Sequence, residues 1–96
     1  MNEQDVRLHA FVRGMVQGVG FRYFVVDEAN ASGSRGWVRN LRDGRVELLA
    51  EGSRASLEAL LARLWQGPRA GRVDGIDVAW EEATGEFRRF GLERTA

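Results

Sequence analysis

The sequence contains no cysteine and no lysine, and it has one histidine and one proline. Without cysteine it can form neither disulfides nor thiolate metal sites, and it has no thiolate nucleophile. Without lysine, Schiff-base chemistry and a P-loop, which ends in G-K-[ST], are excluded. Histidine and carboxylate residues do not recur at metal-ligand spacing, so we expect no metal and no other cofactor. The lack of disulfides is compatible with a reducing cytoplasm, where we expect the protein to act.

The chain has 96 residues, of which 44% are hydrophobic and 29% are charged. These proportions are typical of an ordinary globular protein, and we expect residues 1–96 to form a single domain. Fourteen arginines balance fourteen acidic residues, which argues against a polyanion-binding surface over the whole molecule. Any anion site must therefore be local. The polar N-terminus and the lack of a long apolar run predict no signal peptide and no membrane anchor.

The spacing of apolar residues predicts secondary structure in the order β-α-β-β-α-β. Strands are predicted at residues 6–13, 35–41, 46–50 and 73–83, and helices at 21–32 and between Ser53 and Gly67. This order is typical of the ferredoxin-like α+β sandwich, a mainly antiparallel sheet with strand order 4-1-3-2 and both helices on one face. Asp43-Gly44 predicts a hairpin turn, and Gly75 predicts a bulge. Residues 87–92 are expected to add an edge strand or to pair with an early strand.

A glycine-rich turn at residues 14–22 connects the first strand to the first helix. Its glycines allow positive φ angles, so that successive backbone N–H groups can point at one spot. The helix N-terminus adds unpaired N–H groups and a positive dipole end, and Arg22 adds a planar cation that can bind two oxygens. We interpret the turn as a phosphate-binding loop. The alternative interpretation is a plain strand-to-helix connection, since the glycine spacing matches neither a P-loop nor a dinucleotide fingerprint.

A second motif, Gly-Trp-Val-Arg-Asn, lies at residues 36–40. With both motifs in view, the chain closely resembles the acylphosphatases, which hydrolyse the carboxyl-phosphate anhydride. Residues 14–22 resemble the family's phosphate-binding loop with its arginine, and residues 36–40 resemble the strand end that carries its asparagine. The resemblance implies that Arg22 binds the phosphate and that Asn40 orients the attacking water, without a metal or a phosphoenzyme. Met15 departs from the family pattern, because a basic residue is frequent at that position.

The predicted fold brings the two motifs together. The first and second strands run parallel, so the loop after the first and the end of the second lie at the same edge of the sheet. One strand lies between them, which puts their backbones about 10 Å apart. We expect Arg22 and Asn40 to be neighbours at this edge, with a phosphate bound by the loop amides. The candidate amides are those of Met15, Val16, Gln17, Gly18, Val19 and Gly20.

The chemistry of an acyl phosphate suits these residues. The carboxylate leaves without needing a proton, so the site has to stabilise phosphoryl charge and hold a water in line. The carboxamide of Asn40 can both accept from and donate to that water. No proton acceptor is evident among the motif residues, so we expect the substrate's own phosphate to take the proton. His9 has no identified partner and is expected to be an ordinary surface residue.

Two functions from other classes share this architecture: an RNA-binding module and a small-ligand regulatory domain without turnover. RNA-recognition domains display aromatic residues on the open faces of their first and third strands. Here Phe11 is alone, and the third strand is expected to expose Arg45, Glu47, Leu49 and Glu51. We therefore expect a monomer that acts on a small acyl phosphate, with no nucleic-acid or membrane partner.

Overall fold

The computed structural model describes residues 4–96; residues 1–3, which belong to the predicted polar N-terminus, lie outside the described part. The elements are β1 (Val6–Met15), α1 (Phe21–Ala31), β2 (Arg35–Asn40), β3 (Val46–Gly52), α2 (Arg54–Gln66), β4 (Arg72–Glu82) and β5 (Phe90–Leu92). The predicted β-α-β-β-α-β order is confirmed, and a short fifth strand follows it. No helix within residues 4–96 has both the length and the apolar character needed to cross a membrane.

The five strands form one sheet in the order β4-β1-β3-β2-β5. β1 pairs antiparallel with β3 and β4, and β2 pairs antiparallel with β3. The predicted order 4-1-3-2 is therefore confirmed, and β1 and β2 run parallel on either side of β3. β5 adds to the other side of β2 in parallel, so the last segment extends the sheet at that edge.

The core lies between one face of the sheet and both helices. Alternate residues of β1, namely Leu8, Ala10 and Val12, are fully buried there, as predicted from the alternation. The helices bury residues at helical spacing: Phe21, Val25 and Ala29 in α1, and Leu57, Leu60 and Leu64 in α2. This arrangement makes the sheet two-sided, with a helix-bearing face and an open face.

The predicted bulge near Gly75 is confirmed. The β1–β4 register shifts between Arg13, which pairs with Gly75, and Gly14, which pairs with Val73. Asp74 is the extra residue of β4. Such a bulge re-aims the strands next to it, here at the end of β1 that leads into the glycine-rich loop.

The open face differs from the prediction in β3, where Glu47, Leu49 and Glu51 are buried rather than exposed. β3 is the central strand, so long side chains from both neighbours cover its open face. Arg7 of β1 binds Glu51 at 2.8 Å, and Arg39 of β2 binds Glu47 at 2.8 Å. Arg45, which precedes β3, is half-buried.

His9 lies on the open face, in line with its prediction as a surface residue, but it has a specific partner that the sequence did not show. Its Nε2 atom lies 2.6 Å from Oε2 of Glu47. Burial disfavours the charged form of the Glu47 carboxyl, but hydrogen bonds from His9 and Arg39 outweigh burial and lower the pKa of Glu47. The pair lies on the open face of the sheet, because the alternate residues of β1 on either side of His9 point toward the helices. His9 therefore joins Arg39 and Glu47 in a network on the open face.

Candidate active site

No side chain of residues 4–96 caps the N-terminus of α1. Its N-cap residue, Gly20, has a left-handed backbone (φ 79°), and the first turn contains no acidic residue. The first helical hydrogen bond runs from the amide of Phe24 to the carbonyl of Gly20, which leaves the amides of residues 21–23 without a helical acceptor. In α2, by contrast, the Ser53 hydroxyl accepts from the amide of Ser56 at 3.1 Å. The α1 N-terminus is therefore a positive end that the described part of the chain leaves unneutralised.

The loop at residues 16–20 links β1 to this helix end. None of its five amides donates a hydrogen bond to an acceptor within residues 4–96. Gly18 has φ 74°, and a Cβ atom added at Gly18 or Gly20 would meet nothing within 4 Å. Met15, in contrast, ends β1 in register with Arg72. Of the six predicted donors, the structure thus brings Val16 to Gly20 together in the loop and keeps Met15 in the sheet.

Arg22 differs from the other thirteen arginines. Eight of the fourteen form ion pairs with carboxylates: Arg7, Arg13, Arg35, Arg39, Arg45, Arg54, Arg63 and Arg72. Five others have exposed side chains: Arg42, Arg69, Arg88, Arg89 and Arg94. Only Arg22 is half-buried and yet has no carboxylate partner within the described residues. A guanidinium in this state is available to bind an anion from outside the chain.

Asn40 lies at the same edge of the sheet, as predicted. It is the last residue of β2 and is in register with Val46, which on its other side is in register with Val12. Val46 and Val12 are fully buried against the helices, so the side chain of Asn40 lies on the helix-bearing face. Two strand spacings separate its backbone from that of Val12 by about 10 Å. The Oδ1 atom of Asn40 is buried and has no hydrogen-bond partner among residues 4–96.

A side-chain contact joins the loop to the strand end. The Nε2 atom of Gln17 donates to the carbonyl of Leu41 at 2.7 Å and to the carbonyl of Arg45 at 2.9 Å. The loop therefore touches the residue that directly follows Asn40. The sequence pattern identified only the backbone amide of Gln17, because its acceptors lie 24 and 28 residues further along the chain and no local spacing points to them.

The segment after β5 holds the backbone of Asn40 from the outer side. The amide of Ala96 donates to the carbonyl of Asn40 at 3.0 Å, and the carbonyl of Ala96 accepts from the amide of Arg42 at 2.8 Å. The amide of Glu93 donates to the carbonyl of Val38 at 2.9 Å. Residues 93–96 thus continue the edge begun by β5, a role that the sequence did not reveal.

The donors at this edge are suited to an anion. Amide N–H groups and a guanidinium donate hydrogen bonds and carry positive charge, whereas metal ions need lone pairs. Within residues 4–96 no three His, Cys, Asp or Glu side chains come together as a metal site. The acid of the neighbouring hairpin, Asp43, binds Arg45 at 2.8 Å. The hydrogen bonds from Arg45 lower the pKa of Asp43, so its charge is matched locally.

A cleft lies at the opposite end of β1. Its volume is about 650 Å³, and it is lined by residues 4–6 and 80–85. Asp5, Glu81 and Glu82 line it, whereas no arginine or histidine does. Three carboxylates repel a phosphate group, so the cleft does not fit the anion for which the loop edge is suited.

Comparison with known proteins identifies close relatives. A family model described as Acylphosphatase matches residues 8–92. An acylphosphatase from Methylococcus capsulatus is 50% identical over 88 residues, which cover 92% of this chain and 96% of that protein. An acylphosphatase from Roseiflexus is 45% identical over 86 residues, covering 90% and 92%. The crystal structure of acylphosphatase from Bacillus subtilis superposes with a TM-score of 0.89 at 39% identity, covering 92% of this chain and 98% of that one.

Proposed function

Since the chain belongs to the acylphosphatase family, we propose that its chemistry takes place at the edge of the sheet that holds Arg22 and Asn40. As an acylphosphatase, the enzyme cleaves the carboxyl-phosphate anhydride of a small acyl phosphate into a carboxylate and inorganic phosphate. The roles of the individual residues are inferred from the geometry of this edge.

The amides of residues 16–20 and the guanidinium of Arg22 bind the phosphoryl oxygens. Negative charge spreads over the three equatorial oxygens during transfer, and preformed donors that need no reorganisation stabilise it. The α1 N-terminus adds the positive end of its dipole. Two observations support this role. The loop amides have no acceptor among the described residues, and within the same residues Arg22 has no carboxylate partner.

Asn40 orients the attacking water. Its buried Oδ1 accepts a hydrogen bond from one O–H of the water, which directs an oxygen lone pair at phosphorus. The water oxygen forms a bond to phosphorus while the bond between phosphorus and the acyl oxygen breaks, and the bonding electron pair leaves on the carboxylate. A phosphoryl oxygen of the substrate takes the proton of the water. No side chain has to act as a general acid, because a carboxylate is a good leaving group without protonation.

One observation carries this proposal: a half-buried arginine without a carboxylate and a buried amide oxygen without a donor occur at the same edge as an uncapped helix N-terminus. Unsatisfied buried polar groups are rare in folded proteins and call for an explanation. The Oδ1 atom of Asn40 is such a group within residues 4–96, and a phosphoryl group with a water accounts for it together with the unpaired Arg22 and the loop amides at the same edge.

The experiment that tests the proposal is an assay of benzoyl phosphate hydrolysis by the purified protein, with and without a chelator. We expect turnover that the chelator does not reduce and that inorganic phosphate inhibits competitively. Turnover lost with the chelator would contradict the metal-independent mechanism. Turnover without competition by phosphate would contradict the role of the loop.

We further propose that the enzyme acts as a cytoplasmic monomer without a nucleic-acid partner. All of the site residues come from one chain, so a second copy is not needed to complete the site. The lack of cysteine suits a reducing compartment. Light scattering after size exclusion and filter binding of single-stranded RNA test the oligomeric state and the nucleic-acid question.

A further inference from the structure

We propose that the side chain of Gln17 is a positioning residue, which fixes the anion-binding loop relative to Asn40. This inference rests on the roles proposed above for the loop and for Asn40. It concerns a contact between two parts of the site that bind different reactants: the loop holds the phosphoryl group, and Asn40 holds the water.

The geometry joins the loop to the root of a hairpin. Both protons of the Gln17 amide are used, one on the Leu41 carbonyl and one on the Arg45 carbonyl. These two residues close the turn, because the amide of Leu41 donates to the carbonyl of Arg45 at 2.8 Å. Leu41 follows Asn40 directly, and the residue after Arg45, Val46, is in register with Asn40. Gln17 therefore holds the backbone of both strands next to the Asn40–Val46 pair, on the hairpin side of that pair.

The other anchors of the loop are apolar: Val16 is buried in the core and Val19 packs against it. Such contacts are less directional than hydrogen bonds. The loop amides make no hydrogen bonds within the described chain, and Gly18 and Gly20 remove the steric limits that hold other residues in one conformation. Gln17 is half-buried and supplies the loop's two side-chain hydrogen bonds to the sheet. Removing them frees the loop to shift relative to the hairpin while its own curvature and Arg22 remain.

The consequence is a selective effect on turnover. Bound phosphate contacts the loop and Arg22, so its affinity depends weakly on where Asn40 lies. In-line attack depends on the distance and angle between the held water and phosphorus, and an error of about 1 Å can cost about 100-fold in rate. Loss of the Gln17 contact should therefore lower kcat much more than it weakens phosphate binding.

The decisive variant is Gln17→Met, which keeps the length of the side chain and removes both donors. We expect kcat for benzoyl phosphate to fall by about 10-fold or more, and the inhibition constant of inorganic phosphate to change by less than about 3-fold. Gln66→Met is the matched control, since the exposed side chain of Gln66 accepts a hydrogen bond within residues 4–96 only from Arg63 on α2. Its kcat should equal that of the unmodified enzyme. Both rates are normalised to the folded fraction from urea titration.

A double-mutant cycle with Asn40→Ala separates positioning from general support of the fold. If Gln17 acts through Asn40, Gln17→Met should lower kcat far less in the Asn40→Ala background than in the unmodified enzyme. Equal fold-losses in the two backgrounds would overturn the inference while leaving the proposed role of Asn40 intact. An Asn40→Ala variant with unchanged kcat would instead overturn that role, and the inference with it.

Gln17→Asn covers the case in which Gln17→Met does not fold. The shorter amide reaches at most one of the two carbonyls, so its kcat should lie between the values for no contact and for the full contact. The inference would be overturned if both variants had normal kcat. If Gln17→Met does not fold, normal kcat in Gln17→Asn would overturn it.

Discussion

Asn40 is in register with Val46 on the helix-bearing face of the sheet, and there its carboxamide oxygen is buried without a hydrogen-bond partner among residues 4–96. An unsatisfied polar atom in such a place costs about 1–3 kcal/mol of folding free energy. The cost is offset when a water or substrate completes the hydrogen bond. The register thus places an unpartnered amide oxygen in the core-facing layer, at the end of β2 that lies beside the glycine-rich loop.

Replacing Asn40 by alanine should therefore separate turnover from stability. We expect Asn40→Ala to lower kcat for benzoyl phosphate by about 100-fold or more, because the water is no longer held in line. The inhibition constant of phosphate should change by less than about 3-fold. The free energy of unfolding should change by less than about 1 kcal/mol, because removal of the unpartnered oxygen offsets the packing that is lost. Steady-state kinetics and urea titration measure the three quantities. Asn30→Ala, an exposed position on α1, is the control and should change none of them.

Arg22 should act mainly on binding. Its planar guanidinium can donate two charge-assisted hydrogen bonds to a phosphate, each of about 1.5–3 kcal/mol. We therefore expect Arg22→Ala to weaken phosphate binding by about 100-fold or more. Arg22→Lys keeps the charge but loses the planar fork, and an intermediate affinity is expected. Calorimetric titration with inorganic phosphate measures both. Arg88→Ala removes the same charge from an exposed arginine between β4 and β5; if it weakens binding as much as Arg22→Ala, general charge rather than a specific contact is responsible.

The left-handed glycines offer a test of the loop amides. Gly18 and Gly85 have φ angles of 74° and 75°, and an added Cβ meets nothing within 4 Å at either position. Alanine in this conformation costs about 1–2 kcal/mol at both, so Gly18→Ala and Gly85→Ala should lower the free energy of unfolding to a similar extent. Only Gly18→Ala should also weaken phosphate binding, because the strained loop re-aims its amides. Equal phosphate affinity in the two variants would argue against binding by the loop backbone.

Much of this architecture could be predicted from local patterns. Alternation in β1 and helical spacing in α1 identify their buried faces, because each element buries one side against the same core. The parallel direction of β1 and β2 then follows from the order of the elements, and with it the common edge for Arg22 and Asn40. These predictions needed only periodicity, glycines and the handedness of connections.

The remainder depends on contacts between distant parts of the chain. The edge strand expected within residues 87–92 is present as β5, but its three residues show no periodic pattern and do not indicate that it pairs with β2. Burial of Glu47 and Glu51 depends on arginines of neighbouring strands. The partner of His9 lies 38 residues away. Local spacing gives the face of a side chain, but not what covers it.

The buried carboxylate of Glu51 makes stability depend on acid pH. Burial disfavours its charged form, but the amides of Thr84 and Gly85 and the guanidinium of Arg7 outweigh burial and hold the pKa of Glu51 below its ordinary value of 4.5. Folding therefore favours the ionised carboxylate. The stabilisation is complete above the ordinary pKa and is lost as the pH falls through the lowered pKa of the folded state.

Glu51→Gln should reveal this contribution. At about pH 7 we expect the variant to unfold with a free energy lower by about 1–3 kcal/mol, because the charged acceptor is lost. The difference from the unmodified protein should shrink as the pH falls below 4.5, since the unmodified protein then loses the same interaction by protonation. Urea titrations across this range measure it. Glu58→Gln removes a carboxylate from an exposed pair with Arg54 and should cost less than about 1 kcal/mol at neutral pH. If the difference in free energy of unfolding between Glu51→Gln and the unmodified protein stayed constant down to acid pH, the neighbours of Glu51 would stabilise its protonated and ionised forms equally well.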